Sequence, residues 1–305
     1  MSSDLPYRDQ VSLMLQLLPI VGRETDFALK GGTAINLFVR DLPRLSVDID
    51  LTFLPLSDRS VALAAIHDGM ARLARSITHL IPKTRVQMSA NPVSPKLIVS
   101  SDRARVKIEP NTTLRGSVFS ATTSRTTPAV EDQFGLSVRV PVLSFADLYG
   151  GKIVAALDRQ HPRDLFDVKL LLDEDGLTDD VRVAVIVYLA SHGRPMVELL
   201  DPVLKPLDQV YQSEFAGMMR VPATLTDLDD ARSRLIRQLR TALSSAEREF
   251  LLSLKHGEPR WELIPVPHVA KLPAIRWKLR NVQELARRPA AHNAAIEKLK
   301  KVLGE

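Results

Sequence analysis

Between residues 27 and 53 the chain restricts itself to a narrow choice of folds. The apolar run Phe27-Ala28-Leu29 leads through Lys30 into Gly31-Gly32-Thr33, and fourteen residues later comes Asp48-Ile49-Asp50-Leu51-Thr52-Phe53. The first run reads as a strand closed by a sharp turn, because two adjacent glycines let a backbone reverse and approach a ligand closely. Thr33 then opens a helix over Ala34–Phe38, where a hydroxyl and unpaired amides suit phosphate oxygens. On the second strand Asp48 and Asp50 are two residues apart, so both carboxylates share one face. Two such charges repel unless a cation lies between them, and hard divalent ions prefer carboxylate oxygens and bridge phosphates. A Gly-Gly pair alone is equally a plain turn, and an Asp-x-Asp alone a solvated strand end. In the order strand, Gly-Gly-Thr, helix, Asp-x-Asp strand, they point to metal-assisted phosphate chemistry.

Further strands are expected at Arg85–Met88, Leu97–Ser100 and Arg105–Glu109, with a helix from Ser60 to about Arg75 between the second and third of the five. Residues 114–130 are polar and rich in Ser and Thr, and read as an extended loop. At the start of the chain Val11, Leu13, Met14, Leu17, Leu18 and Val21 recur at helical spacing, which predicts an amphipathic helix on a core rather than an export signal. From Ser144 onward helical patterns take over: one through Leu157, one after His161-Pro162-Arg163, then 178–191, about 206–219, about 226–254 and about 276–303. The expected fold class is α+β: a mixed sheet with helices over residues 1–175, followed by an all-helical domain over 176–305.

Charge divides along the same line. Residues 1–230 carry 25 basic and 29 acidic side chains, net −4, whereas residues 231–305 carry 16 and 7, net +9. A basic terminal third suggests a polyanionic partner, although a solvated arginine-rich helix face gives the same count. Arg232, Arg234, Arg237, Arg240, Lys271, Arg276, Lys278 and Arg280 are the candidate phosphate contacts. Trp261 and Trp277 lie among them, either as core anchors or as platforms for unpaired bases. Cysteine is absent, which excludes thiolate metal sites and a cysteine nucleophile. The seven histidines form no pair at ligand spacing. Gly150-Gly151-Lys152 is not a P-loop, since Ala146 and Ile153 stand where Gly and Ser or Thr are required. No stretch approaches the ~18 apolar residues that cross a membrane, so a cytoplasmic protein with no membrane partner is expected.

The Gly-Gly and Asp-x-Asp blocks resemble the DNA-polymerase-β-like nucleotidyltransferases. That resemblance implies a third metal-binding carboxylate on a neighbouring strand, a place that Glu109 in Lys107-Ile108-Glu109 fits. Downstream, Lys152-x-x-Ala155-x-x-x-Arg159 followed by Arg163-Asp164-x-x-Asp167 is similar to the AbiEii/MenT-type toxin nucleotidyltransferases. The upstream block Lys30-Gly31-Gly32-Thr33, Arg44-x-Ser46-x-Asp48-x-Asp50 fits the same family, so the likeness spans residues 26–173.

This family resemblance implies a nucleoside triphosphate held by Gly31, Gly32, Thr33, Arg44, Ser46, Lys152 and Arg159. It implies catalytic roles for Asp48, Asp50, Lys152 and Asp164, and magnesium (two ions, with manganese an alternative) on Asp48, Asp50 and Glu109. It further implies an RNA acceptor, the tRNA 3′ end, a block of translation, and a cognate antitoxin protein. Lys152, Ala155 and Arg159 fall on one helix face by spacing alone. Asp147, three residues after Ser144, is expected to support a helix start, while Arg163 and Asp167 stand at i, i+4 and can pair with each other. Three other functions share these residues: transfer to a protein or an aminoglycoside, phosphoryl transfer, and RNA binding without catalysis.

Overall fold

A computed structural model describes residues 5–91 and 93–305. The chain forms two compact units, Met1–Leu148 with Gln212–Pro222, and Tyr149–Tyr211 with Ala223–Glu305. The expected division at residue 175 keeps both motif blocks together. Compactness instead divides the chain inside a helix that the second block shares, so the two blocks belong to different units.

The first unit is built on a seven-stranded mixed sheet. It contains α1 (Leu5–Val21), β1 (Phe27–Lys30), α2 (Gly31–Ala34) continued by a π-helical turn over Ile35–Val39, β2 (Asp48–Phe53), α3 (Arg59–Leu80), β3 (Arg85–Met88), β4 (Leu97–Ser100), β5 (Arg105–Asn111), β6 (Thr122–Arg125), α4 (Pro128–Phe134) and β7 (Arg139–Val142). The strand order is β3-β4-β5-β2-β1-β7-β6. β2 and β5 are parallel, as are β1 and β7, and the remaining neighbours are antiparallel. All five expected strands form. The region 114–130 is not one loop: it holds β6 and the start of α4, whose polar residues Thr122–Arg125 pair with β7 at the sheet edge.

Alternation explains why β2 and β5 lie at the centre. Ile49, Leu51 and Phe53 of β2 are buried, as are Val106 and Ile108 of β5, and the residues between them face the other way. Phe27 and Phe53 are partners across β1 and β2, with ring centroids 5.6 Å apart in an edge-to-face arrangement. Helix α1 buries Val11, Met14, Leu17, Leu18 and Val21, as its spacing predicts, and packs on α3, β5 and β7. Residues 212–222 join this unit through the backbone: Leu45 N donates to Met218 O, and Arg220 N to Pro43 O, each at 2.9 Å.

The second unit is helical. The chain passes into it along α5 (Phe145–Arg159), then forms α6 (Pro162–Glu174), α7 (Asp179–Ser191), α8 (Met196–Leu200), α9 (Asp208–Glu214, along which the chain returns to the first unit), α10 (Leu225–Ala242), α11 (Ser245–His256), α12 (Pro273–Ala286) and α13 (Pro289–Leu303). Two long helices expected from the sequence are each broken. The pattern over 226–254 stops at Leu243, because Ser244 and Glu247 form a reciprocal cap that starts α11. The pattern over 276–303 breaks at Pro289, which occupies the first turn of α13. Among the described residues no helix is long and apolar enough to cross a membrane.

Candidate active site

In the first unit the turn after β1 is shaped by what lies against it. Gly31 has φ +74°, and a Cβ there would come within 2.6 Å of Asp50 Oδ2. Only glycine fits, both for its backbone angle and for the carboxylate that leans over it. A Cβ on Gly32 would meet Arg44 Nη2 at 2.7 Å and Ser46 Oγ at 3.1 Å. The Arg44 and Ser46 side chains therefore close around the second glycine, and Arg44 is itself buried.

Thr33 is turned inward. Its hydroxyl donates to the Asp48 carbonyl at 2.5 Å and lies 3.0 Å from Ser46 Oγ, on a buried side chain. The sequence expectation gave this hydroxyl to phosphate. In the structure it braces the Gly-Gly turn to the first residue of β2, which leaves the backbone at 31–33 as the phosphate-facing candidate.

The carboxylates are set by strand register. In the parallel pairing of β2 with β5, Asp48 stands opposite Lys107 and Asp50 opposite Glu109. Directly opposed residues share a face, so three acids and one ammonium occupy the same side of the sheet. Lys107 Nζ lies 2.9 Å from Glu109 Oε2 and 3.9 Å from Asp48 Oδ2, with side-chain exposures of 34% for Lys107, 34% for Glu109 and 42% for Asp48. The hydrogen bond to Glu109 is the main reason the Lys107 ammonium holds its proton more tightly than usual. Partial burial opposes it, and the Asp48 and Asp50 charges reinforce it. Among the described residues no three acids converge closely enough to grip a metal ion in this arrangement. The donor set nevertheless suits a hard divalent cation: its oxygens are all carboxylate, they share one face, and a positive charge already sits among them.

The second motif block builds a different cluster, within the second unit. Lys152 Nζ lies 2.8 Å from Asp164 Oδ1 and 2.9 Å from Asp167 Oδ2, and the three side chains are only 7%, 2% and 0% exposed. Arg159 adds Nε at 2.5 Å from Asp164 Oδ2 and Nη2 at 3.0 Å from Oδ1, while remaining 61% exposed. Burial pushes the Asp164 carboxyl up. The charges and hydrogen bonds of Lys152 and Arg159 more than offset this and hold it below the usual carboxylate range. Asp167 thus bonds Lys152, a partner on the preceding helix that the i, i+4 spacing to Arg163 did not suggest.

The turn between α5 and α6 carries a residue that sequence reasoning missed. Gln160 has φ +53°, in the left-handed region that non-glycine residues seldom adopt. Its buried amide is pinned on three sides. Nε2 donates to Val203 O at 2.8 Å, and Oε1 accepts from Lys205 N at 3.0 Å and Arg232 Nη1 at 2.9 Å. His161 then caps α6 by accepting from Arg163 N at 3.1 Å. The break Gln160-His161-Pro162 is visible in the sequence, but nothing there marks Gln160 as its anchor. Asp147 has the expected structural role. Its carboxylate accepts from Val118 N and Phe119 N at 2.8 and 2.9 Å, and Ser144 Oγ caps its amide at 3.0 Å.

The expected basic surface of the C-terminal third is partly interior. Arg232 is buried on Gln160, the Lys205 carbonyl and Asp229. Lys278 is buried and donates to the carbonyls of His192 and Arg194 at 2.8 and 2.6 Å, just past the end of α7. Desolvation, helped by Lys255 and opposed by Glu198, lowers the Lys278 ammonium to about 8. Arg234 pairs with Asp173 at 2.7 Å and Arg240 with Asp201 at 3.3 Å.

Comparison with known proteins gives no match among curated sequences. Among solved structures, the nucleotidyltransferase toxin MenT4 from Mycobacterium tuberculosis H37Rv superimposes with a TM-score of 0.64 at 14% identity, covering 92% of this chain and 95% of that one. At that identity the likeness establishes a shared fold. The family model for the nucleotidyl transferase AbiEii toxin of type IV toxin–antitoxin systems matches residues 12–281, which include both motif blocks and most of the helical unit. A match over so much of the chain makes this protein a nucleotidyltransferase of the AbiEii toxin family.

Proposed function

We propose that this toxin transfers a nucleotide from a nucleoside triphosphate to an RNA acceptor, the 3′ end of tRNA, in a divalent-metal-dependent reaction in the cytoplasm that blocks translation. Membership of a type IV toxin–antitoxin family implies an antitoxin partner and a nucleoside triphosphate substrate. The observation that carries the reading is the register of β2 and β5, with Asp48, Lys107, Asp50 and Glu109 on one face beside a turn where only glycine fits.

In the reaction an acceptor hydroxyl oxygen bonds to the α-phosphorus and gives up its proton to solvent, the bond from that phosphorus to the oxygen bridging to the β-phosphate breaks, and pyrophosphate leaves with the electron pair. Asp48 and Asp50, with Glu109 for a second ion, would hold magnesium or manganese, which makes the hydroxyl more acidic and offsets charge on the phosphates. The backbone at Gly31 and Gly32 accommodates phosphate closely, while Arg44, Ser46 and Thr33 fix that turn. Lys152 and Asp164 serve the same activity by positioning. Their mutual ion pair leaves Arg159, 61% exposed, as the outward cation of that cluster for the triphosphate.

The test incubates the protein with magnesium, total RNA and total protein, and each nucleoside triphosphate labelled at the α or γ position. Label from the α position in tRNA is the expected result. Label from the γ position would make the enzyme a phosphotransferase. Label in protein or a small molecule would move the acceptor, and RNA binding without label would leave a non-catalytic module.

A further inference from the structure

Asn36, in the first unit, is fully buried, as are its neighbours Ile35 and Leu37. An apolar side chain of the same size would suit that place better, because a buried amide costs free energy unless it is hydrogen-bonded. This amide reaches back one helical turn: Nδ2 donates to the Gly32 carbonyl at 2.8 Å. The backbone amide of Ile35 donates to the carbonyls of Gly31 and Gly32. The Gly32 oxygen thus accepts one bond from the main chain and one from a side chain. The backbone that carries Asn36 is itself unusual. Arg40 N donates to Ile35 O at 2.7 Å, a π-helical step, and Leu42 N to Asn36 O at 3.1 Å. Widened turns of this kind recur at functional sites.

We infer that Asn36 is a positioning residue for the triphosphate: it touches no phosphate, but it presets the peptide that does. The inference rests on the reading in which the backbone at 31–33 takes phosphates, and names what holds that backbone in shape. A trans peptide is planar, so its carbonyl and its N–H point in opposite directions. Drawing the Gly32 carbonyl toward Asn36 therefore turns the Thr33 N–H the other way, out of the helix and toward the Gly-Gly turn. The Thr33 hydroxyl is committed to the Asp48 carbonyl, which makes this amide the group that Thr33 offers a phosphate. The brace answers a local need. A Cβ on residue 32 would meet Arg44 Nη2 at 2.7 Å, so crowding demands glycine, and glycine brings backbone freedom. A side chain four residues on removes that freedom.

The experiment compares Asn36→Thr with Asn36→Val. The two new side chains share one shape, and only the threonine hydroxyl can donate to a carbonyl four residues back. Binding of inorganic triphosphate with magnesium is measured by calorimetry, and the KM values for nucleotide and for tRNA by transfer of α-label. Asn36→Val should bind triphosphate roughly 2- to 13-fold more weakly than Asn36→Thr, the worth of one hydrogen bond. The loss should appear in the KM for nucleotide and not in that for tRNA. The thermal midpoint of Asn36→Val should equal or exceed that of Asn36→Thr, since an apolar group replaces a hydroxyl in the core. Weaker binding with undiminished stability is a combination that a purely structural role does not give. In wild type, the Thr33 amide and Asn36 side-chain amide resonances should shift together when triphosphate is added, a result that needs neither variant to fold. Equal affinity of the two variants overturns the role of Asn36 and leaves the phosphate-binding turn standing. A Thr33 amide that does not move when triphosphate binds to wild type also overturns it, and places the phosphates elsewhere. Absence of triphosphate binding by wild type overturns the phosphate-turn reading and the inference with it.

Discussion

Replacing Lys152 with methionine should destabilise the helical unit severely, and the structure sets the size of the effect. Lys152 is one of two cations facing Asp164, and it also reaches Asp167, at 2.8 and 2.9 Å, with all three side chains almost fully buried. Methionine keeps the length and apolar stem but removes the ammonium, so Asp164 keeps Arg159 while both buried carboxylates lose their pair with Lys152. Removing one partner of a buried pair costs about 3–5 kcal/mol, because the remaining charge stays desolvated. Trp261 and Trp277 both belong to this unit, so its urea transition is read by their fluorescence. With a slope near 2.5 kcal/mol per molar, the midpoint should fall by about 1–2 M.

The double variant Lys152→Met/Asp167→Asn restores charge balance and should recover a substantial part of that loss. Acid titration adds a second signature. The Asp164 carboxyl is held below its ordinary value of 3.8 in the folded protein. The stability it contributes is therefore present above that value and is lost as the pH falls below it. In Lys152→Met this acid-dependent loss should shrink, since only Arg159 still favours the ionised form. A midpoint within about 0.3 M of wild type, or no recovery in the double variant, would refute the reasoning. It would also return Lys152 to the role of a direct phosphate ligand.

Three further outcomes are expected. Asp48→Ala and Asp50→Ala should each abolish nucleotide transfer while leaving the circular dichroism spectrum and thermal midpoint close to wild type, because neither side chain belongs to the apolar core; retained transfer would remove them from the mechanism. Gly31→Ala should lose activity and cost about 1–2 kcal/mol from its left-handed backbone alone, with more from the 2.6 Å approach to Asp50 Oδ2; an active, equally stable variant would show that the turn adjusts freely. Lys107→Met should bind Mn2+ more tightly, by about thirtyfold, since a unit charge about 4 Å from a divalent ion is repelled by on the order of 2 kcal/mol even in a solvated setting; calorimetric titration giving weaker binding would make Lys107 a support for the metal site rather than a competitor.

The sequence announced what depends on local pattern and was silent on what depends on pairing. Alternating Ile49, Leu51 and Phe53 mark β2, and the spacing of Val11 to Val21 marks α1, because one buried face imposes a period. The strand Thr122–Arg125 has no apolar face and is held by its neighbour β7, so nothing in its own residues signals it. The break at Ser244 was legible, since Ser244-x-x-Glu247 is a capping box, yet the apolar period running through it suggested one helix. Within the site, the shared face of Asp48 and Asp50 follows from a period of two. The alignment of Glu109 with Asp50 depends on the register of two strands far apart in sequence. The basic third shows the same limit. Arg232 and Lys278 count as positive charge in any composition, but backbone carbonyls and a glutamine oxygen draw both inside.

Each motif block places a lysine between two carboxylates, and exposure decides what each lysine can do. Around Lys107 roughly a third of each side chain remains in water, so solvent screens the pairs and each contributes no more than about 1 kcal/mol. An arriving cation displaces that ammonium at little cost, and the displaced lysine stays solvated. Around Lys152 the partners are nearly dry, and moving the ammonium onto a ligand would break two buried charge pairs at several kcal/mol. Little of a ligand's binding energy would survive that exchange. The pairs of β2 and β5 thus cost little to exchange, whereas those of Lys152 with the α6 acids are costly to break. By the same measure, Arg159, 61% exposed, is the member of the second cluster that solvent screens, while the core it bonds stays dry.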